Sequence, residues 1–236
     1  MARVGALETL ETLEREIERI GLRPGSACTA SVVSTGVRDL DDLLPDGGLP
    51  RGRVVEWSGP PSSGKTAVLR TSLERLRRDG ESVALIDGTR ALYAPDWVQL
   101  VSGEGEFWVV RPGSALEATW CADLLLRSGA FGAVALRIAE PASTLGRGTS
   151  VRLQRLAEEA AAVFVTMGPV AVAALRLGFR PGHIEPLRDT GFGPFLPPFR
   201  PVWVRVGKRG AAEVPVLCPV STQRRLPIAR DRKGPL

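Results

Sequence analysis

The sequence has few of the residues that build disulfide frameworks and zinc sites. Its three cysteines, Cys28, Cys121 and Cys218, are widely spaced and form no C-x-x-C pair. An odd and scattered set of this kind favours reduced thiols over disulfides or a zinc site. His183 is the single histidine. A Ser-His-Asp triad or a histidine-based metal centre therefore has little to be built from, and a loop histidine is the simpler interpretation.

Long hydrophobic runs are also missing. Arg, Glu or Asp interrupts each apolar stretch before it reaches the length of a membrane span. The N-terminus places Glu8, Glu11, Glu14 and Glu16 where the apolar region of a signal peptide would lie. These absences predict a cytoplasmic protein.

The composition is that of a globular protein with an excess of positive charge. The 236 residues are 44% hydrophobic and 24% charged, with a formal net charge of +5. This length suits one sizeable α/β domain with small extensions, and we divide it into an N-terminal helix and linker (1–28), a core domain (29–221) and a basic flexible tail (222–236). The basic balance is compatible with nucleic acid or an acidic partner, although high arginine use can equally reflect a GC-rich genome.

The core is organised around a phosphate-loop motif. The apolar run from Val54 to Trp57 predicts a strand, and a helical pattern begins soon after it. Between them lies a segment that fits G-x-x-x-x-G-K-[ST], made of Gly59, Pro60, Pro61, Ser62, Ser63, Gly64, Lys65 and Thr66. Strand, glycine-bounded loop and helix are the context that this motif requires, whereas an ordinary Gly/Ser/Pro turn would need none of it. Backbone N–H groups and Lys65 would bind phosphate, and the Thr66 hydroxyl would be a ligand for Mg²⁺.

Strands and helices alternate after the loop. Strands are predicted at 83–87, 107–110, 132–136 and 162–166, and helices at 97–101, 114–127 and 150–161; a short strand at 30–33 and a helix at 37–44 precede the loop. On helix 114–127 we expect Leu116, Trp120, Leu124 and Leu125 to form the buried face. The alternation predicts βαβ units and a mostly parallel sheet covered on both faces.

The two ends of the chain have different patterns. Leucine and isoleucine recur at helical spacing over residues 5–20, which predicts an amphipathic helix that packs on its own domain or on a partner. From Gly168 to residue 198, repeated prolines and glycines predict an irregular loop. Strands are then predicted at 201–206 and 214–220 and joined as a hairpin by residues 207–210.

Together these motifs resemble the RecA family of recombinases. The resemblance rests on Ser34-Thr35-Gly36, on the approach from Gly47 to Glu56, on the phosphate loop and on the stretch from Ala84 to Leu92. It covers residues 5–167 and, more weakly, the terminal hairpin. It implies a RecA-like P-loop core with a mostly parallel twisted sheet flanked by helices, an N-terminal helix and a C-terminal β-hairpin. It also implies ATP and Mg²⁺ as cofactors.

Three positions depart from the family pattern. RecA-type enzymes carry a water-polarising Glu two residues after the acid that ends the second strand, and Thr89 stands there in this chain. The Walker B strand of the family ends in an Asp that holds the Mg²⁺ shell, but here the matching strand runs into Arg137. Thr166-Met167-Gly168 occupies the place of the γ-phosphate-sensing Gln. We therefore predict nucleotide binding with weak or absent hydrolysis.

Several side chains near this site have two interpretations each. Asp87 is the one catalytic candidate, as a substitute Mg²⁺ ligand or water-positioning acid. Arg137 is either a phosphate ligand or a structural arginine paired with a carboxylate such as Glu140. Tyr93 and Trp97 follow the second strand, where the family places its adenine contacts, so either could stack on a base or pack in the core.

Within the family, the pattern is most similar to the ImuA group, which are accessory proteins of bacterial damage-induced mutagenesis cassettes. That similarity implies a role in DNA repair and the SOS response beside RecA and a translesion polymerase subunit. Residues 5–20 could dock on RecA, as the N-terminal helix does between subunits of RecA filaments, and the basic C-terminal region is a second candidate surface. The alternatives are an active ATPase that depends on single-stranded DNA and a DNA-binding protein without nucleotide chemistry.

Overall fold

The computed structural model describes residues 6–7, 10–20, 31–101, 104–138, 145–181, 199–207 and 210–217. Within these ranges the helices are α1 (Leu10–Ile20), α2 (Arg38–Asp41), α3 (Lys65–Arg78), α4 (Ala115–Arg127) and α5 (Arg147–Ala160). The strands are β1 (Ala6–Leu7), β2 (Val32–Val33), β3 (Leu49–Pro50), β4 (Arg53–Ser58), β5 (Val83–Asp87), β6 (Phe107–Val110), β7 (Ala133–Arg137), β8 (Val163–Met167), β9 (Leu175–Pro181), β10 (Phe199–Val206) and β11 (Gly210–Leu217). Short 3₁₀ helices lie at Pro45–Gly47 and Ala94–Val101.

The strands form a large, mostly parallel sheet in the order β1-β6-β5-β7-β8-β4-β9-β10-β11. Only the last two pairings, β9 with β10 and β10 with β11, are antiparallel. Strands β2 and β3 pair separately. Buried apolar runs such as Val83–Asp87 explain the parallel arrangement, because strands covered on both faces need apolar side chains on both sides. The predicted α/β fold, including the C-terminal hairpin, is confirmed.

Two apolar layers cover the sheet. On one face, Val68, Leu69 and Leu73 of α3 pack against a cluster that includes Val55 and Trp57 of β4. On the other face, α1, α4 and α5 pack over alternate residues of the same strands. The phosphate loop therefore follows a central strand that is held from both sides.

The N-terminal helix packs on its own domain. Strand β1 pairs in parallel with β6 at the sheet edge. In α1, Leu13 is fully buried in the layer formed with α4, and Leu10 and Ile17 pack against the same layer. Of the two interpretations of residues 5–20, the structure favours self-packing, because the apolar face of this helix is already covered.

The predicted buried face of α4 is partly wrong. Leu116 is 61% exposed and Trp120 is 52% exposed, whereas the face on the sheet is formed by the small residues Ala118, Cys121 and Ala122 followed by Leu125 and Leu126. These positions also recur at helical spacing. Their small side chains allow the helix backbone to approach the sheet closely, so residue size decides which of two apolar stripes is buried.

The loop predicted from Gly168 onward is also partly wrong, because residues 175–181 form strand β9. Leu175, Leu177 and Phe179 are buried and alternate with Arg176 and Arg180, which are exposed. The alternation is the signature of a strand with one buried face.

Several predictions fall on residues outside the described ranges: His183, Cys28, Cys218, Glu140 and the tail 222–236. The division at residues 28 and 221 stays a prediction. None of the helices in the described ranges combines the length and apolar character needed to cross a bilayer.

Candidate nucleotide-binding site

The phosphate loop connects the end of β4 to the start of α3. Gly64 caps α3 with φ +86°, and Lys65 is the first helical residue. The first turn of α3 contains no acidic residue, so nothing there offsets the positive end of the helix dipole. The Lys65 ammonium donates a hydrogen bond to the carbonyl oxygen of Gly59 at 2.5 Å. The lysine thus lies folded over the loop, where phosphate oxygens could replace that carbonyl as its acceptor.

At both motif glycines, close neighbours and a positive φ angle each disfavour a residue with a Cβ. A Cβ on Gly59 would lie 2.4 Å from the carbonyl oxygen of Phe179 in β9. A Cβ on Gly64 would lie 2.3 Å from a methyl carbon of Val202 in β10. The loop is therefore seated directly against β9 and β10.

The remaining loop residues leave groups for a ligand. Pro60, Pro61 and Ser62 are exposed. Ser62 adopts φ +60°, which is uncommon for a residue other than glycine and is found at ligand clamps. The hydroxyl of Ser63 is buried and has no hydrogen-bond partner; a phosphate oxygen is an acceptor that would satisfy it. The arrangement fits a polyphosphate, and Thr66 is half-buried at the start of α3 beside it.

The ends of β5, β7 and β8 form a row beside this loop. The strand register sets Asp87 opposite Arg137 and Arg137 opposite Met167. Asp87 is fully buried, and a nitrogen of the Arg137 guanidinium lies 3.7 Å from its carboxylate. Asp87 is thus a structural partner of Arg137, while Glu140 lies outside the described ranges.

The other contacts of Asp87 come from its own loop. Its carboxylate accepts hydrogen bonds from the Thr89 hydroxyl at 2.7 Å and from the backbone N–H of Leu92 at 2.8 Å. Thr89 therefore serves the turn that follows β5. The metal-ligand and catalytic roles of Asp87 stay predictions.

The two aromatic candidates for base stacking differ in their exposure to solvent. Trp97 is buried and stacks on Phe107, with ring centroids 6.1 Å apart and planes 12° apart. It belongs to the core. Tyr93 is 62% exposed, so of the two it is the side chain free to meet a base.

The structure also contains a cavity that the sequence patterns did not predict. A cavity of about 590 Å³ opens beside Gly59 and Pro60, on the face of β9 and β10 opposite their buried side. Its polar lining consists of Arg176, Arg180, Arg205, Ser58 and Glu56, and its aromatic residues are Trp203 and Phe179. A prediction that leaves out β9 cannot place this face of the sheet. The available signal was the alternation of Arg176, Gly178 and Arg180 with apolar residues.

One of the cavity's arginines has a structural role. The guanidinium of Arg176 forms an ion pair with the buried carboxylate of Glu56 and donates to the carbonyl oxygen of Val170 at 3.0 Å. Glu56 also accepts from the N–H of Val170 at 3.1 Å. This cluster holds the short connection from β8 to β9, which leaves Arg180 and Arg205 as the outward cations of the cavity.

Comparison with known proteins gives a match to a family model and to curated relatives. The RecA N-terminal domain family matches residues 8–143, more than half of the chain. The protein RecA of Salinispora tropica is 39% identical over 116 residues, which are 49% of this chain and 32% of that relative. RecA of Gluconobacter oxydans is 38% identical over 128 residues, 53% of this chain and 36% of the relative. RecA of Rhodococcus opacus is 43% identical over 102 residues, 43% of this chain and 29% of the relative. The chain thus spans about a third of the length of the curated relatives that it matches.

Proposed function

This chain belongs to the RecA N-terminal domain family, and on that premise we propose that it is a nucleotide-binding accessory protein of the DNA-damage response with weak or no ATP hydrolysis. The observation that carries the proposal is the contrast between the two halves of the site. The phosphate loop keeps its glycines, its lysine and its helix N-terminus. The acidic half holds Thr89 and Arg137 where a catalytic carboxylate and a metal-binding carboxylate are expected.

The weak hydrolysis follows from the contacts of Asp87 and Thr89. A general base contributes about 10²- to 10⁴-fold to the rate of a reaction like this one. A threonine hydroxyl is not a base at neutral pH, and that of Thr89 is already donated to Asp87. Asp87 is fully buried and each of its oxygens already accepts from a protein donor, so it is poorly placed to act as a base on an attacking water. We therefore expect the protein to bind nucleotide with little or no hydrolysis.

ATP hydrolysis with and without single-stranded DNA tests this part of the proposal. Wild-type protein is measured beside Lys65→Ala, with Arg155→Gln, an exposed position on α5, as the matched loss of one positive charge. We expect no DNA-stimulated turnover in any of the three. Turnover that DNA stimulates and that disappears only in Lys65→Ala would establish the active-ATPase alternative.

The partners we propose are RecA and a translesion polymerase subunit, as in the ImuA group. Because the apolar face of α1 packs on its own domain, a contact through that face would require the helix to leave its core. Leu116 and Trp120, one turn apart on α4 and both exposed, offer an apolar contact surface that needs no unfolding.

A pull-down with purified RecA and the polymerase subunit tests the partnership. Deleting residues 1–25 would also remove Leu13 from the core, so surface variants are a cleaner probe. Trp120→Ser should weaken capture, whereas Val98→Ser, at a similarly exposed apolar position, should not. No capture of either partner by the wild-type protein would defeat the accessory role.

A second candidate function, binding of single-stranded DNA, is favoured by the cavity on β9 and β10. Arg180 and Arg205 offer phosphate contacts, and the exposed indole of Trp203 offers a stacking surface for a base. DNA affinity should fall steeply as salt rises. Replacing either arginine by Gln should reduce the slope of log affinity against log salt by about 0.7. An affinity indifferent to salt would rule this candidate out.

A further inference from the structure

The row of strand ends beside the phosphate loop offers one carboxylate and one guanidinium. Asp87 ends β5, Arg137 ends β7 and the apolar Met167 ends β8. Over the ranges that the structure describes, no three acidic, histidine or cysteine side chains cluster as a metal site. Among the described residues, a metal beside a bound nucleotide would therefore take its protein ligands from Asp87 and the Thr66 hydroxyl.

The carboxylate of Asp87 does not fit that task. Mg²⁺ is usually held by one or two carboxylates together with phosphate oxygens and waters, in near-ideal octahedral geometry. One oxygen of Asp87 accepts from Thr89 and lies 3.7 Å from Arg137, and the other accepts from Leu92. The group is fully buried, each of its oxygens already accepts a hydrogen bond from the protein, and the Arg137 guanidinium lies beside it as a fixed cation.

We propose that the phosphate loop binds its nucleoside triphosphate without Mg²⁺, and that Lys65 and Arg137 provide the positive charge that the metal provides in other sites. This inference rests on the proposed function, since it describes how the same loop holds its ligand. The negative charge of a triphosphate favours any mobile cation that can reach it. A guanidinium already in place, with a planar fork that matches two phosphate oxygens, meets that need without displacing Asp87.

The geometry allows Arg137 to take this role. Its side chain is 17% exposed, so the guanidinium is held in the protein but not sealed from a ligand. Strand β7 lies two positions from β4 in the sheet, about 10 Å at ordinary strand spacing. An arginine side chain and the outer phosphates of a ligand in the loop together span such a distance. The strand between them, β8, ends in Met167 and adds no competing charge.

The test is nucleotide affinity measured by calorimetry on the full chain, with ATP as the probe, in excess Mg²⁺ and in excess EDTA. We expect wild-type dissociation constants that agree within about threefold in the two buffers. Arg137→Gln should weaken binding in both buffers by about 10- to 100-fold, the loss of charge-assisted hydrogen bonds. Arg137→Lys keeps the charge but not the planar fork, so its affinity should lie between those of the wild type and Arg137→Gln. The affinity of Arg155→Gln should match that of the wild type.

The outcomes distinguish a failure of metal-free binding from a failure of nucleotide binding itself. Wild-type binding that requires Mg²⁺ would overturn the inference and leave nucleotide binding intact. Binding in neither buffer would overturn both. Equal affinity in the two buffers with Arg137→Gln unchanged would show metal-free binding without the arginine, and would also overturn the assignment. Thermal melting of each variant without nucleotide separates a lost contact from a lost fold.

Discussion

The contact between the phosphate loop and the C-terminal strands gives the sharpest stability prediction. Replacing Gly64 by Ala adds a Cβ at φ +86°, in the left-handed region, and places it 2.3 Å from one methyl carbon of Val202 and 3.1 Å from the other. Valine is stiff at χ1 and cannot turn both methyls away. Val202 is buried and lies in the middle of three paired strands, so its backbone is also held.

The expected magnitude has two parts. The backbone angle costs an L residue about 1–2 kcal/mol, and overpacking a filled site costs about 1–3 kcal/mol more. Gly64→Ala should therefore lower the free energy of unfolding by about 2–5 kcal/mol, which corresponds to a Tm lower by on the order of 10 °C for a chain of this size. Gly47→Ala is the matched control: its φ is +76°, but no atom lies within 4 Å of the added Cβ. It should show the backbone part alone.

Urea unfolding followed by tryptophan fluorescence measures both variants, because buried Trp57 packs on Phe179 close to the loop. Val202→Ala removes the two methyls that the new Cβ would meet. In that background Gly64→Ala should cost about 1–3 kcal/mol less than in the wild type, a favourable coupling well above the scatter of independent sites. Additive effects, or equal losses for Gly64→Ala and Gly47→Ala, would refute the reasoning that β10 presses against the loop.

Three further predictions concern buried groups. Arg137→Met should destabilise the protein by about 3 kcal/mol, because it leaves the buried charge of Asp87 without a partner, and chemical denaturation should show most of that loss recovered in the double variant with Asp87→Asn. Leu13→Ala should cost about 2–5 kcal/mol in the same assay, against a change within about 0.5 kcal/mol for exposed Glu14→Ala, whereas a helix that packed only on partners would tolerate both. Burial raises the pKa of the Cys121 thiol to about 12, so at pH 8 it stays protonated; in a variant with the other two cysteines replaced by serine, a thiol reagent should label it only after unfolding.

Much of the fold could be predicted because the sequences of its central strands are distinctive. Runs such as Val83–Asp87 and Val163–Met167 are apolar on both faces, and the glycine-bounded loop with its lysine fits one structural context. Strand β9 was hidden by its neighbourhood, since prolines and glycines around it outweighed a short alternation of apolar and arginine residues. The buried stripe of α4 was misassigned because hydrophobicity favours Leu116 and Trp120, while packing distance favours Ala118 and Cys121.

The partner of Arg137 could not be predicted because it depends on strand order. Asp87 and Arg137 are far apart in the chain and adjacent only because β5 and β7 pair, a choice that no local pattern specifies. Glu140, the nearest acid downstream, was therefore the natural candidate from sequence. Pairing of β5 with β7 also places the Arg137 cation beside the buried Asp87, so strand order determines which charges meet at this edge of the sheet.

The phosphate loop packs against β9 and β10, two strands that lie far from it in the sequence. Gly59 contacts β9 and Gly64 contacts β10, yet both strands lie beyond residue 143, where the family match ends. The opposite side of the same two strands carries Trp203, Arg180 and Arg205. Because a close-packed interior transmits strain, we expect a ligand that fixes the loop also to restrain this cationic face. A nucleotide that is held and not hydrolysed, as proposed, would then stabilise this surface for as long as it stays bound.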